Sequence, residues 1–341
     1  MKRTIALVLI AVLAVGIAFA AGQTEAAKAG AVKIALIVEN TVDDKGWCQA
    51  MHDGIIAAQE QLPGRIEYAK VENTKPVDAG SAVRQYANLG YDLIICHGAQ
   101  YKNTIIDAAK EFPDISFAFG TSSDIVGDNV FTYMPESEET GYLSGLIAGL
   151  TTKTNIVGLI GPVDGGDAAR YNRGFVMGVQ KVNPACKILV GHIGSFSDTV
   201  KSGEFAQADI QSGADVLTGS SQQALGALRA VADYKDKDIW WVGQDLAQIS
   251  IPEGYKCIAA SSYNYAAVII GLVENLDAGI KGGLCIPMNF HNGGFVFGFN
   301  EAKCADKITP AIKTAVEEAL ANMKKTAGLL HNYTDVDYTK L

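Results

Sequence analysis

The chain repeats part of its own sequence at a fixed offset of 123 residues. The offset pairs residues of the same type in the same order, namely Asp44 with Asp167, Gly90 with Gly213, Asp92 with Asp215, Gln100 with Gln223 and Gly120 with Gly243. A period this long is typical of a duplicated domain, because solenoid repeats are only about 20–50 residues long. The sequence therefore predicts two similar lobes, and the cleft between two lobes is a common place for a small ligand.

Within each copy, short apolar runs alternate with longer segments of helical period. Residues 32–38 and 92–96 are strand-like in the first copy, as are residues 155–160 and 215–218 in the second. Near-continuous apolar strands that alternate with helices are typical of parallel sheets covered on both faces. The fold class expected is therefore α/β, with two doubly wound parallel sheets.

Additional elements follow the second copy and indicate several crossovers of the chain between the lobes. We expect the first lobe to comprise residues 31–136 and about 264–290. The second lobe is expected to comprise residues 137–263 and about 291–330. Residues 331–341 read as a polar tail.

The N-terminus has the pattern of a secretory signal peptide. Two basic residues precede an apolar segment, residues 5–16, and a small-x-small cleavage pattern ends at Ala20. The apolar segment is shorter than the roughly 20 residues that a membrane-spanning helix needs. We expect residues 1–20 to be removed, residues 21–30 to form a flexible leader and the protein to reside in the periplasm or cell envelope. The first cysteine is Cys48, so a lipid-modified N-terminal cysteine is not predicted.

Composition and motifs argue against several functional classes. Without its first 20 residues the chain has 26 basic and 37 acidic residues, which disfavours nucleic acid because phosphate is contacted mainly by Lys and Arg. The six cysteines and five histidines show neither CxxC nor metal-ligand spacing, and Cys285 and Cys304 are the pair to test for a disulfide. Neither GxSxG nor a phosphate loop ending in GK[ST] occurs. We therefore expect a monomeric binding protein without catalysis, cofactor or metal.

Candidate ligand-binding residues follow the strands, because ligands of doubly wound sheets sit at the carboxyl ends of strands. After the first strand come Asp44, Trp47 and Cys48, and the indole is a good platform for a flat heterocycle. Other candidates follow the later strands, namely His97, Gly98, Ser221, Gln222, Asp245, Tyr263 and Asn264. Asp245 suits a pair of ribose hydroxyls. Helix caps, glycine turns and inward packing of Trp47 are the alternative explanations.

Four segments together resemble the basic membrane protein family, the purine-nucleoside-receptor-like solute-binding proteins of ABC importers. These segments are residues 43–49, 194–198, 243–245 and 292–295, and the resemblance runs from about residue 32 to residue 299. It implies a type I periplasmic binding fold whose two lobes close on a nucleoside that is passed to a membrane permease. It also implies that Trp47 and Phe196 stack on the base, that Asp245 binds the ribose and that Asp44 is the family's first-loop aspartate.

Two positions depart from the family's pattern. The usual motif Asp-Lys-Ser-Phe-Asn-Gln is Asp-Lys-Gly-Trp-Cys-Gln here, so Cys48 replaces the asparagine that would read the base. The lysine expected after the fifth strand of the second lobe falls at Tyr263 and Asn264. The ligand expected is therefore a purine nucleoside or nucleobase, with riboflavin or a sugar as the alternative in the same fold. A nucleoside hydrolase and a sensor subunit are alternatives of other classes.

Overall fold

The computed structural model describes residues 30–44 and 46–341 of the chain. The predicted signal peptide and all of the leader except Gly30 lie outside the described residues.

The elements of the first half are β1 (Val32–Ile37), α1 (Trp47–Gln61), β2 (Ile66–Val71), α2 (Pro76–Asn88), β3 (Leu93–His97), α3 (Lys102–Glu111), β4 (Ser116–Gly120) and β5 (Val130–Pro135). The second half continues with α4 (Glu138–Thr151), β6 (Ile156–Gly161), α5 (Gly166–Val182), β7 (Lys187–His192), α6 (Thr199–Gln211), β8 (Val216–Gly219), α7 (Ala224–Asp233), β9 (Trp240–Gly243), α8 (Ala247–Ser250) and β10 (Cys257–Tyr263). The last elements are α9 (Tyr265–Asp277), β11 (Leu284–Met288), β12 (Phe295–Phe299), α10 (Glu301–Cys304) and α11 (Pro310–Lys325).

The strands form two six-stranded sheets with the same strand order. One sheet runs β11-β5-β4-β3-β1-β2 and the other runs β12-β10-β9-β8-β6-β7. Their registers also correspond, since Ile34 pairs with Leu93 in the first sheet and Val157 pairs with Val216 in the second. Both members of that pair are shifted by 123 residues, the offset seen in the sequence. The predicted pair of doubly wound α/β lobes is therefore confirmed.

The chain crosses between the sheets more than once. After β10 of the second sheet, α9 packs on α1, and β11 pairs with β5 of the first sheet. The chain then returns, and β12 pairs with β10 in the antiparallel sense, unlike the other strand pairs of the described residues. The connection between β11 and β12 covers only residues 289–294, so β12 starts near the carboxyl edge at which β11 ends and runs back from that edge.

Glycines allow α4 and α5 to pack with their backbones nearly in contact. A Cβ atom at Gly145 would lie 2.1 Å from the carbonyl oxygen of Phe175, and one at Gly141 would lie 2.1 Å from that of Tyr171. A larger side chain at either position would have to push the helices apart. This close packing fixes α4, the element that begins immediately after the first crossover, to the body of the second lobe.

Cys285 and Cys304, the pair to test for a disulfide, are not joined to each other. All six cysteines are free thiols; Cys285 lies on β11 of the first sheet, whereas Cys304 is buried in α10 beside the backbone of Cys257.

Residues 331–341, expected to be a polar tail, pack against the second lobe. The guanidinium groups of Arg170 and Arg173 lie 4.9 and 5.1 Å from the ring centroids of Tyr333 and Tyr338. Among the described residues, no helix is long and apolar enough to span a membrane.

Candidate ligand-binding site

A cavity of about 810 Å³ lies between the lobes, at the carboxyl ends of their strands. This size is within the range of about 300–1,000 Å³ that is usual for small-molecule sites. Of the residues predicted from the sequence, nine line it: Trp47, Cys48, His97, Gly98, Phe196, Ser221, Gln222, Asp245 and Tyr263. Duplicated loops therefore meet at one place, since equivalent strands of both sheets end there.

Trp47 forms an aromatic platform on the first-lobe side of the cavity. It is the first residue of α1, and its ring stacks on the imidazole of His97 with 4.3 Å between centroids and 8° between planes. Tyr263 and Tyr265 contact it edge to face, at 5.4 and 5.7 Å. The indole is thus held by three side chains, yet it remains only partly buried and lines the cavity.

His97 supports this platform and has both ring nitrogens occupied by protein groups. Its Nε2 lies 3.1 Å from the carbonyl oxygen of Trp47, and its Nδ1 lies 2.7 Å from the hydroxyl of Tyr133. Burial lowers the pKa of His97 to about 3, so the ring is neutral. Because a carbonyl oxygen only accepts, Nε2 carries the hydrogen and Nδ1 accepts from the Tyr133 hydroxyl. His97 therefore orients Trp47.

Phe196 brings a second aromatic ring from the other lobe. It lies in the loop between β7 and α6 and is 50% exposed. Its carbonyl oxygen accepts a hydrogen bond of 2.9 Å from the backbone N–H of Gln223, which ties the loop to the segment before α7. An exposed phenylalanine at the wall of a cavity is available to contact a planar ligand.

Asp245 is a half-buried carboxylate on the second-lobe side. Its Oδ1 accepts from the N–H of Ala247 at 2.8 Å and from the hydroxyl of Ser262 at 3.2 Å. Burial raises the pKa of Asp245 to about 6, and these two hydrogen bonds lower it in part. A carboxylate so placed can accept further hydrogen bonds from ligand hydroxyl groups.

Tyr263, the last residue of β10, is held by two neighbouring side chains. Its hydroxyl donates to Asp167 Oδ2 at 2.9 Å and accepts from Gln244 Nε2 at 2.9 Å. Gln244 in turn accepts from the N–H of Ser221 at 3.1 Å. Burial raises the pKa of Asp167 although Tyr263 donates to it. The cavity wall here is a connected polar network without a lysine.

Two predicted residues, Asp44 and Asn264, lie outside the lining of the main cavity, and Cys48 lines it as a buried thiol. Asp44 is not among the cavity-lining residues, because its carboxylate accepts from backbone N–H groups at the start of α1. Asn264 lies outside this cavity and lines a smaller one of about 250 Å³, and its amide donates to the carbonyl oxygen of Gly293. Cys48 lines the main cavity, but burial raises the pKa of its thiol to about 12, so it stays protonated.

Several polar residues of the cavity were not singled out from the sequence, namely Glu39, Asn40, Gln100, Asp167, Gln244 and Gln248. The offset of 123 residues could have indicated Asp167, since it is the counterpart of Asp44. Glu39 and Gln100 bond to each other at 2.9 Å across the loops after β1 and β3. No Lys or Arg is among the described residues that line the cavity, and the described part of the chain contains no group of His, Cys, Asp or Glu arranged for a metal ion.

Two duplicated α/β lobes with multiple crossovers and a polar and aromatic cavity between them define a two-lobed solute-binding protein. A solute-binding protein of an ABC transporter from Conexibacter woesei has a similar structure, with a TM-score of 0.72, 21% identity and coverage of 86% of this chain and 97% of that chain. This similarity establishes the type I periplasmic binding fold.

The chain belongs to the Bmp family, whose model is described as ABC transporter substrate-binding protein PnrA-like and matches residues 31–281. A Listeria innocua protein named CD4+ T-cell-stimulating antigen is 28% identical, over 82% of both chains. The ABC transporter nucleoside-binding protein BmpA of Lactococcus lactis is 28% identical, over 84% of this chain and 86% of its own. The purine-binding protein BAB2_0673 of Brucella abortus is 28% identical, over 62% of this chain and 60% of its own. The resemblance inferred from the sequence is confirmed, and members of this family bind solutes for transporters and are not enzymes.

Proposed function

We propose that this protein is an exported receptor that binds a purine nucleoside or nucleobase between its lobes and delivers it to an ABC permease. The observation that carries the proposal is the cavity itself, which has Trp47 on one lobe, Phe196 on the other and Asp245 beside them. Two aromatic rings suit a planar base, and a carboxylate suits the two hydroxyl groups of a ribose. The nucleoside-binding and purine-binding names of two relatives support the same ligand class.

The negative charge of the cavity disfavours phosphorylated ligands. Its carboxylates are Glu39, Asp167 and Asp245, and its described lining has no cationic side chain to balance them. A carboxylate about 6 Å from a phosphate repels it by roughly 3 kcal/mol at an effective dielectric constant of about 20, which is more than a hundredfold in affinity. We therefore expect inosine to bind at least about a hundredfold more tightly than inosine 5′-monophosphate.

The direct test is native mass spectrometry of the purified protein, followed by calorimetry after any co-purified ligand has been removed by unfolding and refolding. The compounds to compare are inosine, hypoxanthine, riboflavin and ribose. Binding of inosine or hypoxanthine with recovery of the unchanged compound would support a purine receptor. Tighter binding of riboflavin or ribose would replace the purine proposal with the corresponding alternative ligand, and hydrolysis of inosine would contradict a receptor role.

A further inference from the structure

A direct hydrogen bond joins the two lobes beside the cavity. The side-chain amide of Gln222 donates through Nε2 to Asp44 Oδ2 at 3.2 Å. Gln222 lies between β8 and α7 of the second lobe, whereas Asp44 lies between β1 and α1 of the first. Both side chains are half-buried. Because the lobes of such proteins open and close about their crossovers, a contact of this kind forms when the cleft closes.

The acceptor is held in place by the first lobe alone. Asp44 Oδ1 accepts from the backbone N–H groups of Gly46 at 3.0 Å and Gln49 at 3.1 Å, and Oδ2 accepts from that of Cys48 at 3.2 Å. This arrangement satisfies the free N–H groups at the start of α1. Asp44 is therefore oriented before the lobes meet, and its oxygens are turned toward protein donors instead of the cavity.

The donor is oriented by the second lobe. Ser221, which precedes Gln222, has a φ of +66°, in the left-handed region that residues other than glycine seldom adopt. The hydrogen bond from its N–H to Gln244 Oε1 holds it there at 3.1 Å. The carbonyl oxygen of Gln222 also accepts from the N–H of Leu225 at 3.3 Å, at the start of α7. The backbone that directs Gln222 toward Asp44 is thus set within its own lobe.

Gly46 provides the space into which Gln222 fits. A Cβ atom at Gly46 would lie only 2.9 Å from Gln222 Cγ, closer than real Cβ atoms approach other carbons, and 3.4 Å from its Cδ. Any side chain at position 46 would therefore meet Gln222 where the two lobes touch. The close approach of Gln222 to the first lobe thus depends on the absence of a side chain at Gly46.

We propose that Asp44, Gly46 and Gln222 form a closure latch, in which the interlobe hydrogen bond stabilises the closed cleft and slows release of whatever ligand is bound. The latch acts on the lobes, so Gln222 and Asp44 are positioning residues that do not choose between ligands. The proposal rests on the ligand-binding function proposed above but not on the identity of the ligand.

The kinetic test uses Gln222→Ala, Gly46→Ala and the variant with both substitutions. Dissociation of inosine and of hypoxanthine is followed by intrinsic tryptophan fluorescence, to which Trp47 contributes from the wall of the cavity. Gln222→Ala should speed dissociation of both ligands by the same factor, about threefold to tenfold for a partly exposed hydrogen bond to a carboxylate. Gly46→Ala should also speed it, because its new methyl group strikes Gln222. The double variant should be no faster than Gln222→Ala, since the clash needs both side chains. Gly271→Ala is the matched control, because a Cβ there meets nothing within 4 Å.

Two kinetic results would overturn the latch. One is an increase in the dissociation rate of inosine in Gln222→Ala that differs from the increase for hypoxanthine by more than about threefold. Such a difference would make Gln222 a ligand contact. The other is additivity of Gly46→Ala and Gln222→Ala, because independent effects require no shared contact.

A cross-linking test needs no ligand. In the double variant Gly46→Cys with Gln222→Cys, the sulfur at position 222 would replace Gln222 Cγ, which lies 2.9 Å from an ideal Cβ atom at position 46. That is close to the roughly 3 Å that separates a Cβ atom from the far sulfur of a disulfide whose S–S bond is about 2.05 Å. Mild oxidation of the ligand-free protein should join positions 46 and 222, as shown by peptide mapping. Absence of this bond, with and without inosine, would overturn the latch. If it forms but wild type binds neither inosine nor hypoxanthine, the latch stands and the purine proposal fails.

Discussion

Substitution of Asp245 by asparagine should abolish the pH dependence of nucleoside binding at mildly acidic pH. Burial raises the pKa of Asp245 to about 6. Only the ionised carboxylate accepts charge-assisted hydrogen bonds from the ribose hydroxyl groups, so protonation of Asp245 should weaken nucleoside binding. Below pH 6 the affinity of wild type for inosine should therefore fall by roughly tenfold per pH unit, the proportion in which the carboxylate becomes protonated. At pH 7 the variant should bind inosine about tenfold to a hundredfold more weakly, the equivalent of about 1.5–3 kcal/mol.

The measurement is calorimetric titration with inosine and hypoxanthine between pH 4.5 and pH 7.5. Hypoxanthine lacks the hydroxyl groups, so its affinity should be similar in wild type and Asp245→Asn. Asparagine preserves the shape of the side chain and can still accept from Ala247 and Ser262, so a structural loss is not expected. Parallel pH profiles of wild type and variant would refute the reasoning, because they would show that Asp245 is not the titrating group. The next group to test would be Asp167, the other buried carboxylate of the cavity.

Three further outcomes are expected. Trp47→Ala should weaken purine binding by about tenfold or more in calorimetry with little change in melting temperature, because a stacked ring contributes about 0.5–1.5 kcal/mol beyond its buried area; a collapsed fold would mean that Trp47 is mainly a core residue. Gly145→Ala should lower the free energy of unfolding by about 1–3 kcal/mol in urea, because its Cβ would lie 2.1 Å from the carbonyl oxygen of Phe175, whereas Gly271→Ala should not destabilise. Burial raises the pKa of Glu139 to about 8, so the folded protein keeps a proton that the unfolded chain releases near pH 4.5, and stability should fall as pH rises between these values. Glu139→Gln should flatten that fall in melting experiments, and an unchanged slope would contradict the assignment.

Much of the fold could be read from the sequence because its information is local and repeated. Apolar runs such as residues 92–96 and 215–218 predict buried strands by themselves, and their constant offset predicts that the strands occupy equivalent places. The register bears this out, since the pairs Ile34–Leu93 and Val157–Val216 are related by that offset. The antiparallel pairing of β12 could not be predicted in this way, because it depends on the path by which residues 289–294 return from the other sheet.

For the candidate site, too, the sequence predicts which residues line the cavity but not which hydrogen-bond partners they take. That residues after the strands would line a cavity follows from the geometry of parallel sheets, and Trp47, Phe196 and Asp245 meet that expectation of position. Which partner each polar group takes is decided by distances between segments far apart in the chain. Asp44 faces the amides of α1 and Gln222 of the opposite lobe, although a carboxylate after a strand reads equally well as a ligand contact.

The sequence by itself determined the duplicated α/β architecture, the family and the loops that form the cavity, because each is encoded in local pattern, spacing and motif. The tertiary structure alone decided that His97 is a neutral support beneath Trp47 and that Tyr263 is tied to Asp167. It also brought Gly46 and Gln222 together across the lobes. These roles depend on burial and on hydrogen-bond partners 50 to about 180 residues away along the chain, which local pattern cannot convey.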